Sequence, residues 1–264
     1  MDYLEFEKVD SPNDYAMNEP HSHEHFELYF LLDGTRNFFI DDKMFVVNKN
    51  AFIVVPPFSM HKTEGGPYVR ININVSPSLL SPEQDEILRK IASKIAIHLH
   101  GKYLNLIKEL LIEGESIQSM NLKNKNDYLL SILKTIILFL SIENFKSISA
   151  ASVADNVRNA TPEVLKIIYF INTNYSQKIT LEMLCNEFFL SKVSLCKKFK
   201  EVMNCSIMEY VLRLRLNIAK SLLRDSTKSI EEISAECGFS SANYFGLIFK
   251  KEVGLSPLNY KKTR

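Results

Sequence analysis

The stretch "GFSSANYFGLIFKKEVGLSPLNY", residues 238–260, decides the fold, because "FLSKVSLCKKFKEVMNCSIMEY", residues 189–210, states it once before in looser form. Phe199, Lys200, Ser206 and Tyr210 recur fifty positions later as Phe249, Lys250, Ser256 and Tyr260. Leu181, Leu184 and Ser191 recur forty-nine positions later as Ile230, Ile233 and Ser240, so the second copy carries one extra residue near Ser240 and Ser241. Two units are too few for a solenoid, which needs about three to bury a continuous core. The repeat reads as a duplicated small module.

Working outward, each copy is a short helix, a tight turn and a second helix with two unlike faces. In the first copy Leu195, Phe199 and Val202 follow the i, i+4, i+7 pattern of a face turned inward, which leaves Val193, Cys196, Lys197 and Lys200 outward. In the second copy Phe245, Phe249 and Val253 turn inward, and Asn243, Gly246, Leu247 and Lys250 outward. Helix starts are marked by N-caps. Thr180 precedes LEMLCNEF and Ser191 precedes KVSLCKKFKEV. Ser206 with Glu209 and Ser229 with Glu232 have the S-x-x-E spacing of a capping box. Ser256-Pro257 and Thr161-Pro162 open two more helices. This predicts about seven helices after residue 160 and a helix-turn-helix organisation, in which the second helix of each unit offers its outer face to base edges. A helical bundle holding two accidentally similar hairpins is the alternative that periodicity leaves open.

The residues from "SIEEISAECG" through the quoted stretch resemble the signature of the AraC/XylS family of transcription regulators. The matching features are the Gly238-Phe239-Ser240 turn, Tyr244-Phe245, Phe249-Lys250-Lys251, Gly254, Ser256-Pro257 and Tyr260. Tyr210, Arg215, Ala219, Leu222 and Leu223 of the connecting helix fit as well, so the resemblance covers residues 161–264. It implies two helix-turn-helix units joined by one long helix, reading major-groove segments about 34 Å apart on one side of the duplex. The expected DNA-facing set is Ser191, Lys192, Val193, Cys196, Lys197 and Lys200 in the first unit, and Ser241, Asn243, Gly246, Leu247, Lys250 and Lys251 in the second. The chain departs from the family pattern in two places. Phe189 stands where the first turn usually has glycine, and Gly246-Leu247 where the second recognition helix often carries Ser and Arg, so that neither offers a bidentate hydrogen bond to a base.

Charge supports a polyanionic partner for the C-terminal half. Residues 161–264 hold 16 Lys and Arg against 10 Asp and Glu, whereas residues 1–160 hold 16 against 21, within a chain of net charge +1. With 46% hydrophobic and 24% charged residues, the 264-residue chain is that of a globular protein of two domains. Its start, MDYLEFEKVD, lacks the basic and apolar regions of a secretory signal, and its longest apolar stretch, Ile132 to Ile142, is interrupted by Lys134 and too short to span a bilayer. The expectation is a cytoplasmic protein with no membrane partner. Cys185, Cys196, Cys205 and Cys237 form no C-x-x-C pair and are read as reduced thiols.

From His21 to about Val75 the pattern has period two, broken by Asp33-Gly34-Thr35, Asp41-Asp42-Lys43 and Asn48-Lys49-Asn50. It predicts a small antiparallel sandwich or barrel, with a hairpin at Asp33-Gly34 joining "FELYFLL" to "RNFFI". Ser81-Pro82 then switches the period to helical, over about 82–115 and 126–146. The predicted architecture is thus an antiparallel β cupin-like barrel with helices over 1–146, a small polar linker over 147–160, and an all-α domain over 161–264.

His21, His23, His25 and Glu27 alternate, so an extended strand places all four on one face, opposite Phe26, Leu28, Phe30 and Leu32. The order H-x-H-x3-E-x6-G through Gly34 looks like the first cupin motif, and Pro57 with His61 echoes the second. Three readings stay open: a divalent metal site, a polar lining for an organic effector, and ordinary structural histidines. The effector lining is favoured, since in regulators of the resembled family the barrel usually binds a small molecule, often a sugar, without metal. The expected effector site is His21, His23, Glu27, Tyr29 and His61, flanked by Phe38, Phe45, Phe58 and Tyr68, most of which are read as plain core; no catalytic residue, metal or cofactor is expected. "LLSILKTIILFL", residues 129–140, is either a dimer surface or an internal helix. The expected function is a ligand-responsive DNA-binding regulator whose partners are double-stranded DNA, a small effector, RNA polymerase and a second copy of the chain. A metal-dependent cupin enzyme with an attached helical domain is the alternative.

Overall fold

A computed structural model of the chain describes residues 3–94, 96–142 and 162–263. The expected linker at 147–160 and the Thr161 cap lie outside the described residues. The chain divides into two compact units, an N-terminal one of strands and helices and a C-terminal one of helices.

The N-terminal unit runs β1 (Leu4–Ser11), β2 (Tyr15–Ala16), β3 (Phe26–Ile40), β4 (Lys43–Asn48), β5 (Ala51–Val55), β6 (His61–Gly65), β7 (Tyr68–Val75), a single 3-10 turn (Pro77–Leu79), α1 (Pro82–Ala92), β8 (Ile97–His98), α2 (Gly101–Ser119) and α3 (Lys125–Ile142). All strand pairings are antiparallel, and the main path is β1-β7-β3-β5-β8. The second half of β3 pairs instead with β4 and β6, and β6 with β2.

The organising element is β3, and it corrects the sequence reading. Asp33-Gly34 makes no hairpin: the strand continues through it for 15 residues, with a register shift between Leu31 and Asp33. Gly34 takes φ 95°, and a Cβ there would lie 2.4 Å from the Pro67 carbonyl oxygen, so only glycine fits. The bulge bends the strand from one pair of neighbours to the other. Along β3, Phe26, Leu28 and Phe30 join a core completed by α1, α2 and α3. Tyr29, Leu31 and Phe38 join a second core inside the barrel, with Phe45, Val47, Ile53, Val55 and Tyr68. With both faces covered, "FELYFLL" is nearly all apolar instead of alternating with polar residues.

The expected helix over 82–115 is two helices. The capping box of Ser81 with Gln84 starts α1 as read, but the chain turns after Ala92 and spends Ile97–His98 pairing with β5. The apolar run of α3 is chiefly internal: Leu129, Leu133, Ile136, Ile137 and Leu140 are buried, while Leu138 and Ile142 are exposed. No helix among the described residues is long and apolar enough to cross a membrane.

The C-terminal unit comprises α4 (Pro162–Asn174), α5 (Leu181–Phe188), α6 (Lys192–Met203), α7 (Ile207–Asp225), α8 (Ile230–Glu236), α9 (Ala242–Val253) and α10 (Pro257–Lys262). Thr180, Ser191, Ser206, Ser229, Ser241 and Ser256 all cap as N-caps, and Ser206 and Ser229 form complete capping boxes with Glu209 and Glu232. Each cap supplies the side-chain oxygen that a free first-turn amide needs, worth about 1 kcal/mol.

Candidate functional site

In the C-terminal unit the repeat becomes two helix-turn-helix units, α5–α6 and α8–α9, linked by α7. N-cap to N-cap, Thr180 to Ser229 spans 49 residues and Ser191 to Ser241 spans 50, which puts the extra residue inside the second turn. The first turn is Phe189-Leu190, with Phe189 left-handed at φ 52° and Leu190 N–H donating to Cys185 O at 3.1 Å. The second passes through Gly238 at φ 75°, after which Phe239 N–H donates to Ser234 O at 3.0 Å. A Cβ on Gly238 would stand 2.7 Å from the carbonyl oxygens of Tyr175 and Ser176. Arg215 of α7 grips the same loop, its Nε donating to Tyr175 O at 2.8 Å and its Nη2 to Gln177 O at 2.7 Å. The loop between α4 and α5 is therefore where the connecting helix and the second turn meet.

On α6, Leu195 and Phe199 are fully buried and Val202 nearly so, while Ser191, Lys192, Val193, Lys197 and Lys200 are exposed and Cys196 half-buried. Val193 is 78% exposed, which folding alone does not favour in an apolar side chain. Lys197 lies 3.9 Å from Glu201, a surface pair too open to hold it. On α9, Phe245 and Phe249 are buried, Val253 is half-buried against the same core, and Ser241, Asn243, Leu247, Lys250 and Lys251 are exposed, Leu247 at 72%. Gly246 is half-buried with open space where a side chain would stand. Sequence reasoning left Tyr244 out of the outward set; it is exposed at the start of α9 beside Phe239.

In the N-terminal unit the histidines gather, but not as a strand face. The backbone bends at Glu24 and His25 and β3 starts only at Phe26. His21 pairs with His61 through two backbone hydrogen bonds of 3.0 and 2.9 Å, and their rings lie 4.2 Å apart. His23 stacks on His25 at 3.9 Å. His23 Nε2 is 3.2 Å and His61 Nε2 3.3 Å from the same Glu27 oxygen, Oε2. The Nδ1 atoms of both rings face backbone carbonyls, of His25 at 2.8 Å and of Ser59 at 3.1 Å. A carbonyl only accepts, so Nδ1 carries the proton in each ring and Nε2 points at the carboxylate. Two imidazole nitrogens and a carboxylate oxygen within 4.8 Å of one another are a donor set able to hold a divalent transition ion. Protonated on Nε2 as well, the His61 ring donates to Glu27 and offsets its charge. Burial pushes the Glu27 carboxyl up, but its hydrogen bonds with the two rings outweigh this and hold it well below the usual carboxylate range. Burial pulls His61 down, yet the Glu27 carboxylate outweighs that and raises it. Desolvation, then the neighbouring imidazoles, push His21 and His25 down to about 4.

Glu27 also faces a cavity of about 330 Å³, together with Val9, Tyr15, Tyr29, Thr63, Tyr68 and Arg70. Of the expected effector residues, Glu27 and Tyr29 line this cavity, whereas His21, His23 and His61 do not; His23 and His61 contact Glu27, and His21 contacts His61. Phe38 and Phe45 are core. Tyr15, Thr63, Arg36 and Arg70 escaped the sequence reading, although Arg36 in the apolar run "RNFFI" was a visible signal of a buried charge.

The helix-turn-helix domain model matches residues 184–263, and the AraC-like ligand binding domain model matches residues 9–112. The uncharacterized HTH-type transcriptional regulator YdiP of Escherichia coli K12 is 24% identical over 246 residues, 89% of this chain and 78% of YdiP. The HTH-type transcriptional activator RhaR of Mannheimia succiniciproducens is 25% identical over 248 residues, 91% of this chain and 86% of RhaR. The solved C-terminal domain of AraT, a response regulator from Geobacillus stearothermophilus, is 30% identical and covers 41% of this chain and 89% of its own, with a TM-score of 0.39. With an AraC-like ligand binding domain match, a helix-turn-helix match and regulators aligned along about nine tenths of its length, the chain belongs to the AraC/XylS family of transcription regulators.

Proposed function

We propose that this regulator binds a specific two-part operator in the cytoplasm, and that a small metabolite, a sugar or a relative of one, enters the N-terminal cavity and changes that binding. Its partner is double-stranded DNA, and the family is one of regulators, so the reading as a cupin enzyme is set aside. The observation that supports the operator reading is the pair of capped recognition helices, α6 and α9, with bare outer faces. On α6 the contacts are Ser191, Lys192, Val193, Cys196, Lys197 and Lys200; on α9 they are Ser241, Asn243, Gly246, Leu247, Lys250 and Lys251. A helix of this kind reads base edges through its outer face, and two helices one turn of duplex apart read two adjacent segments. The regulator acts on RNA polymerase and pairs with a second copy through the outer side of α2 and α3, where Ile112, Tyr128, Leu138 and Ile142 are exposed.

Selection of bound sites from random double-stranded DNA, with and without a panel of sugars and sugar derivatives, tests this reading. The expected result is an enriched site of two half-elements about ten base pairs apart, with occupancy shifted by at least one compound. Loss of all sequence enrichment at moderate salt overturns it.

A further inference from the structure

The interior of the barrel holds more unpaired polar groups than a closed core tolerates. Tyr29 Oη, Arg36 Nη2, Arg70 Nη1 and Asn72 Oδ1 are all buried and have no hydrogen-bond partner among the described residues. Buried polar groups in native proteins are nearly always satisfied, and two of these four, Tyr29 and Arg70, line the cavity described above, which calls for a ligand there. Arg36 is the telling one. It is fully buried, with Nε donating to Thr63 Oγ1 at 3.3 Å and Nη1 to the carbonyls of Tyr15 at 2.9 Å and Gly66 at 3.4 Å. Its guanidinium lies 4.3 Å from the Tyr68 ring centroid and 5.9 Å from that of Tyr15. Three of the residues that hold it, Tyr15, Thr63 and Tyr68, line the cavity.

Among the described residues no carboxylate reaches Arg36 as an ion pair. Glu64 is taken by Lys62 at 3.1 Å. Arg70 spends Nη2 on Glu7 at 3.3 Å and keeps Nη1 unpaired, and its guanidinium stands 5.4 Å from the Tyr29 ring. Of the two acids in the lining, Glu27 is engaged by the rings of His23 and His61 and by the Asn72 amide, and Asp10 sits at the exposed rim. The wall therefore carries Arg70, and directly behind it Arg36 has no counter-charge among the described residues; a buried uncompensated charge is strongly unfavourable.

We propose that the effector is a small organic anion, whose carboxylate or phosphate takes the free N–H group of Arg70 and the Tyr29 hydroxyl and offsets the charge of Arg36 behind Tyr15, Thr63 and Tyr68. This deepens the effector reading above and rests on it. A neutral sugar would satisfy the hydroxyl and the N–H donors but leave the Arg36 charge alone; an anion supplies acceptors and counter-charge together, in the geometry guanidinium groups favour.

The full chain is unfolded thermally in sodium acetate, inorganic phosphate or glucuronate, against sodium chloride at equal ionic strength and against glucose. Acetate and glucuronate, or phosphate, should raise Tm saturably where chloride and glucose do not, and the successful arm separates carboxylate from phosphate. Arg70→Gln should weaken that effect at least tenfold and Tyr29→Phe severalfold. These two variants are used because Arg36→Gln removes a wholly buried anchor and risks the fold; they also separate the cavity from anion binding on the basic C-terminal unit. Absence of any anion-specific shift, equal stabilisation by glucose, or unchanged anion binding in both variants overturns the proposal. The same additions are made to operator-binding assays. Arg70-dependent anion binding without change in DNA affinity would sink the regulatory reading and leave this proposal standing; a response to glucose with no anion binding would do the reverse.

Discussion

Phe189 sits in a backbone conformation that its side chain disfavours. It is left-handed, at φ 52° and ψ 40°, and 94% exposed, so no packing repays the strain. Gly238 holds the corresponding corner of the second unit at φ 75° with two carbonyl oxygens against it. The two turns should respond oppositely to substitution. Phe189→Gly removes a left-handed penalty of about 1–2 kcal/mol while adding glycine's unfolded-state entropy, for a net gain of about 0.5–1 kcal/mol. Gly238→Ala adds the penalty and a clash with backbone, for a loss of about 2–4 kcal/mol. Urea midpoints of the two variants against the unchanged chain check both signs. The cysteines offer a second check at this scale. Burial pushes the Cys237 thiol up to about 12, because the thiolate is the form that burial disfavours, and Cys205 is also buried. Cys185 and Cys196 are half-buried. At pH 8 a thiol reagent should modify two sites quickly and the other two only on unfolding; four equally fast thiols would contradict the packing.

At the scale of elements, α6 and α9 share a scaffold but differ in what they present. Lys197 has its counterpart fifty residues on at Leu247, a cation able to reach a guanine edge or a phosphate against an apolar side chain limited to contacts such as a thymine methyl. Lys197→Ala should cost about 1–3 kcal/mol at the preferred site and relax preference at one or two base pairs. Lys250→Ala or Lys251→Ala should weaken binding to all sequences alike and reduce the salt slope by about one unit. Titrations against matched and scrambled sites at two salt concentrations separate these outcomes, and a larger change of base preference from Leu247→Ala would reverse the roles of the two helices. Both helices were legible in sequence because caps and 3.6-residue periodicity are local. The strand β3 was not. Asp33-Gly34 carries the chemistry of a tight turn, and a glycine at positive φ serves a hairpin or a bulge equally well; the neighbours β5 and β7 on one side of it, and β4 and β6 on the other, made it a bulge.

At the scale of the whole molecule, the two compact units have separate cores. Phe245, Phe249, Leu223 and Ile233 close one, and β3 with α1–α3 the others. A fragment of residues 161–264 should therefore fold alone, bind the selected DNA and lose all response to effector, as circular dichroism and gel-shift titration would show. A folded fragment with no DNA binding would mean that pairing of two copies is indispensable. The sequence by itself determined the duplicated module, its caps, its inward faces and the strained corner at Phe189, because each depends on residues within a few positions of one another. It also placed Glu27 and Tyr29 on the face of β3 opposite Phe26, Leu28 and Phe30, since alternation along a strand is local too. Only the tertiary structure decided that Thr63, Tyr68 and Arg70 meet Tyr15 and Tyr29 around one cavity with Arg36 packed against Tyr15, Thr63 and Tyr68, and that His23 and His61 converge on one oxygen of Glu27. Those contacts join strands far apart in the chain, and they depend on sheet order, register and the bulge between Leu31 and Asp33, none of which is encoded within a single stretch of sequence.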